Sequence, residues 1–150
     1  MELEMMKAMG TIGAAAAIAL AGVGSALGTG AAGQASIGAW KKCYANNKQA
    51  PFQLLVFAGA PLTQTIYGLI STIRMGQVIG DRPESWPAML LWGVLGGIAM
   101  GMSAWMQGKA GAGASDALAE TGQGFANYLM VVGIVETVAL FVMAMLLISV

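Results

Sequence analysis

Charge is absent from most of this chain, and the spacing of what remains decides the fold. Residues 8–40, 49–73 and 85–108 hold no Asp, Glu, Lys or Arg, and residues 121–150 hold one, Glu136. A helix needs about 20 apolar residues to cross the hydrocarbon core of a bilayer. Inside that core every backbone polar group must be satisfied within the protein, which leaves helices or closed barrels. Four transmembrane helices are therefore expected, at about residues 10–38, 52–73, 88–114 and 125–150, each near the required length. Composition agrees, since only 9% of residues are charged, against about 25% in an ordinary soluble domain. The fold class is an all-α, multi-pass integral membrane protein embedded in lipid.

The connections read "WKKCYANNKQAP", "RMGQVIGDRPESWP" and "SDALAETGQG", each with turn or helix-breaking residues. An even number of spans puts both termini on one side. The first connection carries Lys41, Lys42 and Lys48 and no acid, whereas the second balances Arg74 and Arg82 with Asp81 and Glu84. Basic residues favour the cytoplasm, so the first and third connections are expected there, with the termini outside. The opening "MELEMMK" has no positive n-region, so the first apolar stretch reads as a retained helix rather than a cleaved signal. Seven basic residues balance seven acidic ones, which argues against nucleic acid as a partner. With no histidine and only Cys43, a His/Cys metal site and an internal disulfide are both excluded.

The two halves repeat. "SALGTGAAG" (25–33) aligns with "SAWMQGKAG" (103–111), and "PLTQTIYG" (61–68) aligns more weakly with "GIVETVAL" (133–140). Thr29 then pairs with Gln107, and Gln64 with Glu136. Within each half the two positions, Thr29 with Gln64 and Gln107 with Glu136, are centred on a turn, so they share one depth, about 26 Å along each helix in the first half and about 22 Å in the second at 1.5 Å per residue. The chain divides into two duplicated helical hairpins, residues 1–80 and 81–150, each with one polar level at mid-membrane.

Of the 29 residues from Gly10 to Gly38, 22 are Gly, Ala, Ser or Thr. Small residues let helices approach closely in lipid, where no hydrophobic push drives them together. They surround the whole helix rather than one stripe, as on the inner wall of a ring of identical copies. "GVGSALG" and "QGKAG" look like pieces of nucleotide-binding loops, but neither follows a strand. Their glycines are for packing. Helix 2 lines up Ala60, Thr63, Gln64 and Tyr67 at helical spacing, and Pro61 frees the carbonyl of Phe57. Arg74 reads as a snorkelling anchor that ends helix 2. Trp86, Trp92 and Tyr128 read as interfacial anchors, and the methionines of helices 3 and 4 as flexible packing.

A carboxylate at the bilayer centre costs on the order of 3 kcal/mol even on lenient scales. Glu136 is tolerated there if it keeps its proton or if a cation with oxygen ligands neutralises it. Loading the site and exposing it to lipid thereby become coupled. A small four-helix proton-coupled drug exporter would also use one membrane carboxyl, although usually in its first span. A structural pore protein would have no use for Glu136.

The duplicated hairpins, the small-residue first helix and the motifs "LTQTIYG", "MQGKA" and "IVET" resemble the proteolipid (the K, or c, subunit) of V/A-type rotary ATPases across essentially the whole chain. The resemblance implies a non-catalytic subunit of a membrane rotor ring, with ATP handled by other subunits and no tightly bound cofactor. The ring turns against a stator subunit bearing an essential arginine, and central-stalk subunits bind its cytoplasmic loops. The resemblance further implies that Thr63, Gln64, Gln107 and Glu136, with the backbone carbonyl of Ala60, coordinate a transported Na⁺ (H⁺ being the alternative). Tyr67 would hydrogen-bond the glutamate. The family often has glycine before "TQ", and Leu62 in its place is expected to alter the contact between the first two helices. Gln64 stands where a second carboxylate would be, so one ion per four-helix subunit is expected. Fewer ions per turn leaves more free energy for each.

Overall fold

The computed structural model describes residues 2–150. Helix α1 (Leu3–Ala45) leads through a short turn to α2 (Leu54–Gly59). A 3₁₀ turn, Ala60–Leu62, joins α2 to α3 (Thr63–Asp81), and the three pieces form one rod. After a second 3₁₀ turn, Pro83–Ser85, come α4 (Trp86–Thr121) and α5 (Phe125–Ser149). The rods Leu3–Ala45, Leu54–Asp81, Pro83–Thr121 and Phe125–Ser149 are all long and apolar enough to cross a membrane.

Three rods are longer than the expected spans. Charge ends a membrane span but not a helix, because Lys, Glu, Ala and Met are all good helix formers. The helices stop where the backbone forces them to. Asn47 takes the left-handed conformation (φ 52°), and Gly122 and Gly124 do the same after α4 (φ 67° and 87°). Gly122 N–H donates to the Leu118 carbonyl at 2.8 Å, which closes the last turn of α4. Arg74 consequently lies inside α3 rather than at its end. Its guanidinium donates to the backbone carbonyl of Val150 at 2.7 Å and ties α3 to the last turn of α5.

Helices α1 and α4 run parallel and touch backbone to backbone. A Cβ added at Gly93 would stand 1.8 Å from the Gly13 carbonyl oxygen, one at Gly24 would stand 1.9 Å from that of Gly101, and one at Gly108 would stand 2.1 Å from that of Gly28. Further along, Ser36 Oγ and Ser115 Oγ meet at 3.0 Å, 79 positions apart in the chain. That separation is close to the offset of the sequence repeat, so equivalent residues of the two halves face each other along the seam. The exposed pair Lys42–Glu120 closes one end of it. Helices α3 and α5 lie over this pair as a second layer.

The core stacks in three levels. Met75, Met89 and Leu146 fill one end, with Trp86 and Trp92 against them. Ala21, Met100 and Ala139 form a thin middle level beside Tyr67. Leu54, Phe57, Leu118 and Val132 fill the other end, with Phe125 and Tyr128 packed on them. Small residues also occupy the outward side of α1, where Gly30, Gly33 and Gly38 have nothing within 4 Å of an added Cβ.

The contact geometry separates two kinds of glycine. Gly93→Ala drives a methyl group into the backbone of α1, so the expected loss of stability is about 1–3 kcal/mol or more. Gly30→Ala should leave the packing of the single chain unchanged. Unfolding of the purified protein in SDS, followed by tryptophan fluorescence, measures both. Equal stability of the two variants would contradict the seam as described.

Candidate functional site

The polar level begins with a proline. Pro61 has no N–H to continue the helical ladder, and the backbone tightens there into a 3₁₀ turn. The turn presses Pro61 against α1, where a Cβ at Gly28 would come within 2.9 Å of the Pro61 Cβ. Leu62, the residue expected to alter the contact with the first helix, is 52% exposed, whereas Pro61 is buried. Pro61 makes the close contact with α1 at Gly28.

Immediately after the turn, Thr63 Oγ1 donates to the Ala60 carbonyl at 2.9 Å and lies 3.2 Å from Gln64 Oε1. Gln64 is fully buried, and its Nε2 donates to Gln107 Oε1 at 2.8 Å. Gln107, also fully buried, donates from Nε2 to Glu136 Oε2 at 3.0 Å and to the Val132 carbonyl at 3.1 Å. Tyr67 completes the chain, its hydroxyl donating to Glu136 Oε1 at 2.7 Å. Ala60, Thr63, Gln64, Tyr67, Gln107 and Glu136 thus share one hydrogen-bonded network across three helices. Both carboxyl oxygens of Glu136 accept a hydrogen bond, one from a phenol and one from an amide.

Sequence reasoning misses three features of the network. Gln107 offers Glu136 its amide nitrogen, because its oxygen is held by Gln64. The Val132 carbonyl, one turn before Glu136 on α5, is the third partner of Gln107. Ser103 Oγ donates to the Val135 carbonyl at 2.8 Å and fixes the backbone beside Glu136. A signal for Ser103 did exist, since it aligns with Ser25 in the repeat. In the first half the counterparts Ser25 and Thr29 have buried hydroxyls with no partner among the described residues. The shared depth does hold, because Gly28 of α1 meets Ala104 and Gly108 of α4.

Chemically, the site gathers oxygens around one ionisable group. Ala60, Thr63, Gln64 and Gln107 supply two carbonyl-type oxygens from side chains, one from the backbone and one hydroxyl. Glu136 supplies the only ionisable carboxyl. The sole ion pair among the described residues, Lys42–Glu120, lies at the helix ends, so no side-chain cation neutralises Glu136. Glu136 is only partly buried, at the edge of the α3–α5 layer, and can be reached from outside the bundle.

Two like hairpins carrying one carboxyl inside a membrane-level polar network define a duplicated membrane proteolipid. The family described as the C subunit of ATP synthase matches the chain twice, at residues 12–75 and again at residues 90–149, and the chain belongs to that family. Its members are non-catalytic, ion-carrying rotor subunits of ATP synthases and ATPases that assemble into oligomeric rings. No curated protein matches the chain.

Gln107 is the hub of the network. Gln107→Leu strands the buried Gln64 amide, at a cost of about 1–3 kcal/mol, and also removes the donor to one oxygen of Glu136 and the second donor to the Val132 carbonyl. Tyr67→Phe removes a single donor and should cost about 1 kcal/mol. Unfolding in SDS should rank the first variant as clearly less stable, and the reverse order would remove Gln107 from the centre.

Proposed function

We propose that this chain is the ring-forming proteolipid of a V/A-type rotary ATPase and carries one Na⁺ per four-helix subunit on Glu136. The observation that supports sodium over a proton is the oxygen set. A proton site needs little more than a carboxyl in an apolar pocket. Here Thr63 Oγ1, Gln64 Oε1 and the Ala60 carbonyl belong to the same network, linked through Gln107, as a carboxyl oriented by Tyr67 and Gln107. Hard cations take several oxygen ligands of this kind. Gln107 would join them by turning its amide, which exchanges its oxygen for its nitrogen.

Loading works through charge. A Glu136 carboxylate with its cation is neutral overall and can face lipid, whereas the empty carboxylate carries the full cost of a charge in hydrocarbon. An ion-loaded ring therefore turns freely through the bilayer. Unloading requires a compensating positive charge, supplied by an arginine of the stator subunit as each copy passes. ATP is hydrolysed or made on other subunits, which engage the ring through central-stalk subunits at the lysine-bearing connection near Lys41, Lys42 and Lys48. With that connection cytoplasmic, the termini lie outside a prokaryotic plasma membrane.

Carbodiimide labelling of Glu136 tests the ion, because the reagent attacks the protonated carboxyl and sodium binds the ionised one. Added NaCl should slow labelling, increasingly so as pH rises, and KCl at the same ionic strength should not. Thr63→Ala should weaken this protection while Glu136 remains reactive. Labelling that follows pH but ignores sodium would make the transported ion a proton. Glu136→Gln should leave the ring assembled and abolish transport, and an active ring with that substitution would overturn the assignment altogether.

A further inference from the structure

We propose that Ser25 is a positioning residue for the sodium site: when Gln107 presents its oxygen to the bound cation, the Ser25 hydroxyl becomes the acceptor for the Gln64 amide. The inference rests on the sodium reading above. Ser25 is 2% exposed, and its hydroxyl has no hydrogen-bond partner among the described residues. A buried polar group left unpaired is costly, so one in a native core asks for an explanation. Other buried serines pair with the carbonyl one turn back, as Ser36 does with Ala32, Ser71 with Tyr67 and Ser115 with Gly111. Ser25 does not.

Its place in the bundle names the partner. Helices α1 and α3 run antiparallel, and Thr72 Oγ1 of α3 donates to the Ala14 carbonyl of α1. A Cβ at Gly68 would meet Ala21 Cβ at 3.0 Å, one at Gly22 would meet Thr65 Oγ1 at 3.9 Å, and one at Gly28 would meet Pro61 Cβ at 2.9 Å. Ser25 stands midway between Gly22 and Gly28, level with Thr63 and Gln64. The repeat places it there independently. Ser25 aligns with Ser103 and Gln64 with Glu136. Ser103 Oγ donates to the Val135 carbonyl, next to Glu136, so Ser25 belongs beside Thr63 and Gln64.

Loading gives Gln64 a donor to place. In the empty arrangement Gln64 Nε2 donates to Gln107 Oε1 at 2.8 Å, and Gln107 Nε2 donates to Glu136 Oε2. Turning the Gln107 amide to offer its oxygen sets its nitrogen against the Gln64 nitrogen, two donors with no acceptor between them. Gln64 does not resolve the conflict by turning too, because its own oxygen would leave Thr63 and the cation. A hydroxyl opposite Gln64 does resolve it. Ser25 Oγ can accept from the amide while its own proton points to the Ala21 carbonyl one turn back, in the manner of the other buried serines. The hydroxyl is unpaired when the site is empty and paired when it is loaded, so it favours loading.

The experiment measures the NaCl concentration that halves carbodiimide labelling of Glu136 in the membrane-embedded protein at fixed pH. Ser25→Ala should raise that concentration about tenfold, the effect of stranding one buried amide donor in the loaded state. In KCl the same variant should label at the rate of the unaltered protein and resist SDS at least as well, because the empty site loses no contact. Thr29→Val removes the neighbouring unpartnered hydroxyl while keeping its shape, and should leave the sodium concentration where it was. Half-protection of Ser25→Ala at the unaltered protein's sodium concentration would overturn the proposal and leave the sodium reading standing. Altered labelling or earlier unfolding of Ser25→Ala in KCl would overturn it as well, as would an equal rise in Thr29→Val, since each makes the packing of α1 the cause. Sodium that fails to protect the unaltered protein removes the sodium reading and this proposal together.

Discussion

The close contact between α1 and α4 sets the position of everything else. Lipid offers no hydrophobic drive for helices to associate, so proximity must come from van der Waals contact along matched surfaces. Gly13, Gly24 and Gly28 on one side and Gly93, Gly101 and Gly108 on the other remove the side chains that would keep the backbones apart. Because α4 is held this tightly, Gln107 has one place to be, next in sequence to Gly108, which meets Gly28. The Pro61 turn packs into the same notch of α1, which brings Gln64 within hydrogen-bonding reach of Gln107. The polar network is thus a consequence of a backbone contact made by residues with no functional groups.

Much of this was readable from the residue pattern because the controlling physics is local. Four apolar stretches of sufficient length give four helices, and the repeat pairs residues at the same depth. The spacing of Thr63, Gln64 and Tyr67 puts them on one side of α3, facing Glu136 and Gln107. Helix ends were less legible, since the membrane boundary and the helix boundary answer to different forces. Arg74 illustrates this, as a charge that leaves the apolar stretch without ending the helix. Side-chain direction was the least legible. Leu62 and Pro61 are neighbours, yet the 3₁₀ turn sends one outward and the other against α1, and nothing in their order says which. Carbonyl partners such as Val132 leave no trace in sequence, because every residue has one.

Around Glu136 the network does two things with one set of contacts. Donors from Tyr67 and Gln107 hold the carboxyl in a fixed orientation, at the edge of the bundle where exchange with an outside partner is possible. Fully buried Gln64 and Gln107 provide a rigid floor beneath it, with their own hydrogen-bonding capacity largely met by each other. The partly buried carboxyl and the fully buried amides divide these tasks between them.

Covalent fusion of two hairpins has one more result. In an assembly of separate identical hairpins, any altered residue appears at every position, so no site can change without all its equivalents. Joined halves are free to diverge. Pro61 and its 3₁₀ turn occur in only one half, as does Glu136, and Ser103 holds a backbone carbonyl while the Ser25 hydroxyl has no partner among the described residues. One half contributes the Pro61 turn and Gln64 to the network, and the other contributes Gln107 and the carboxyl. Lesions in the two halves would then have different meanings for the organism, because a single gene carries two non-interchangeable copies of what began as one part.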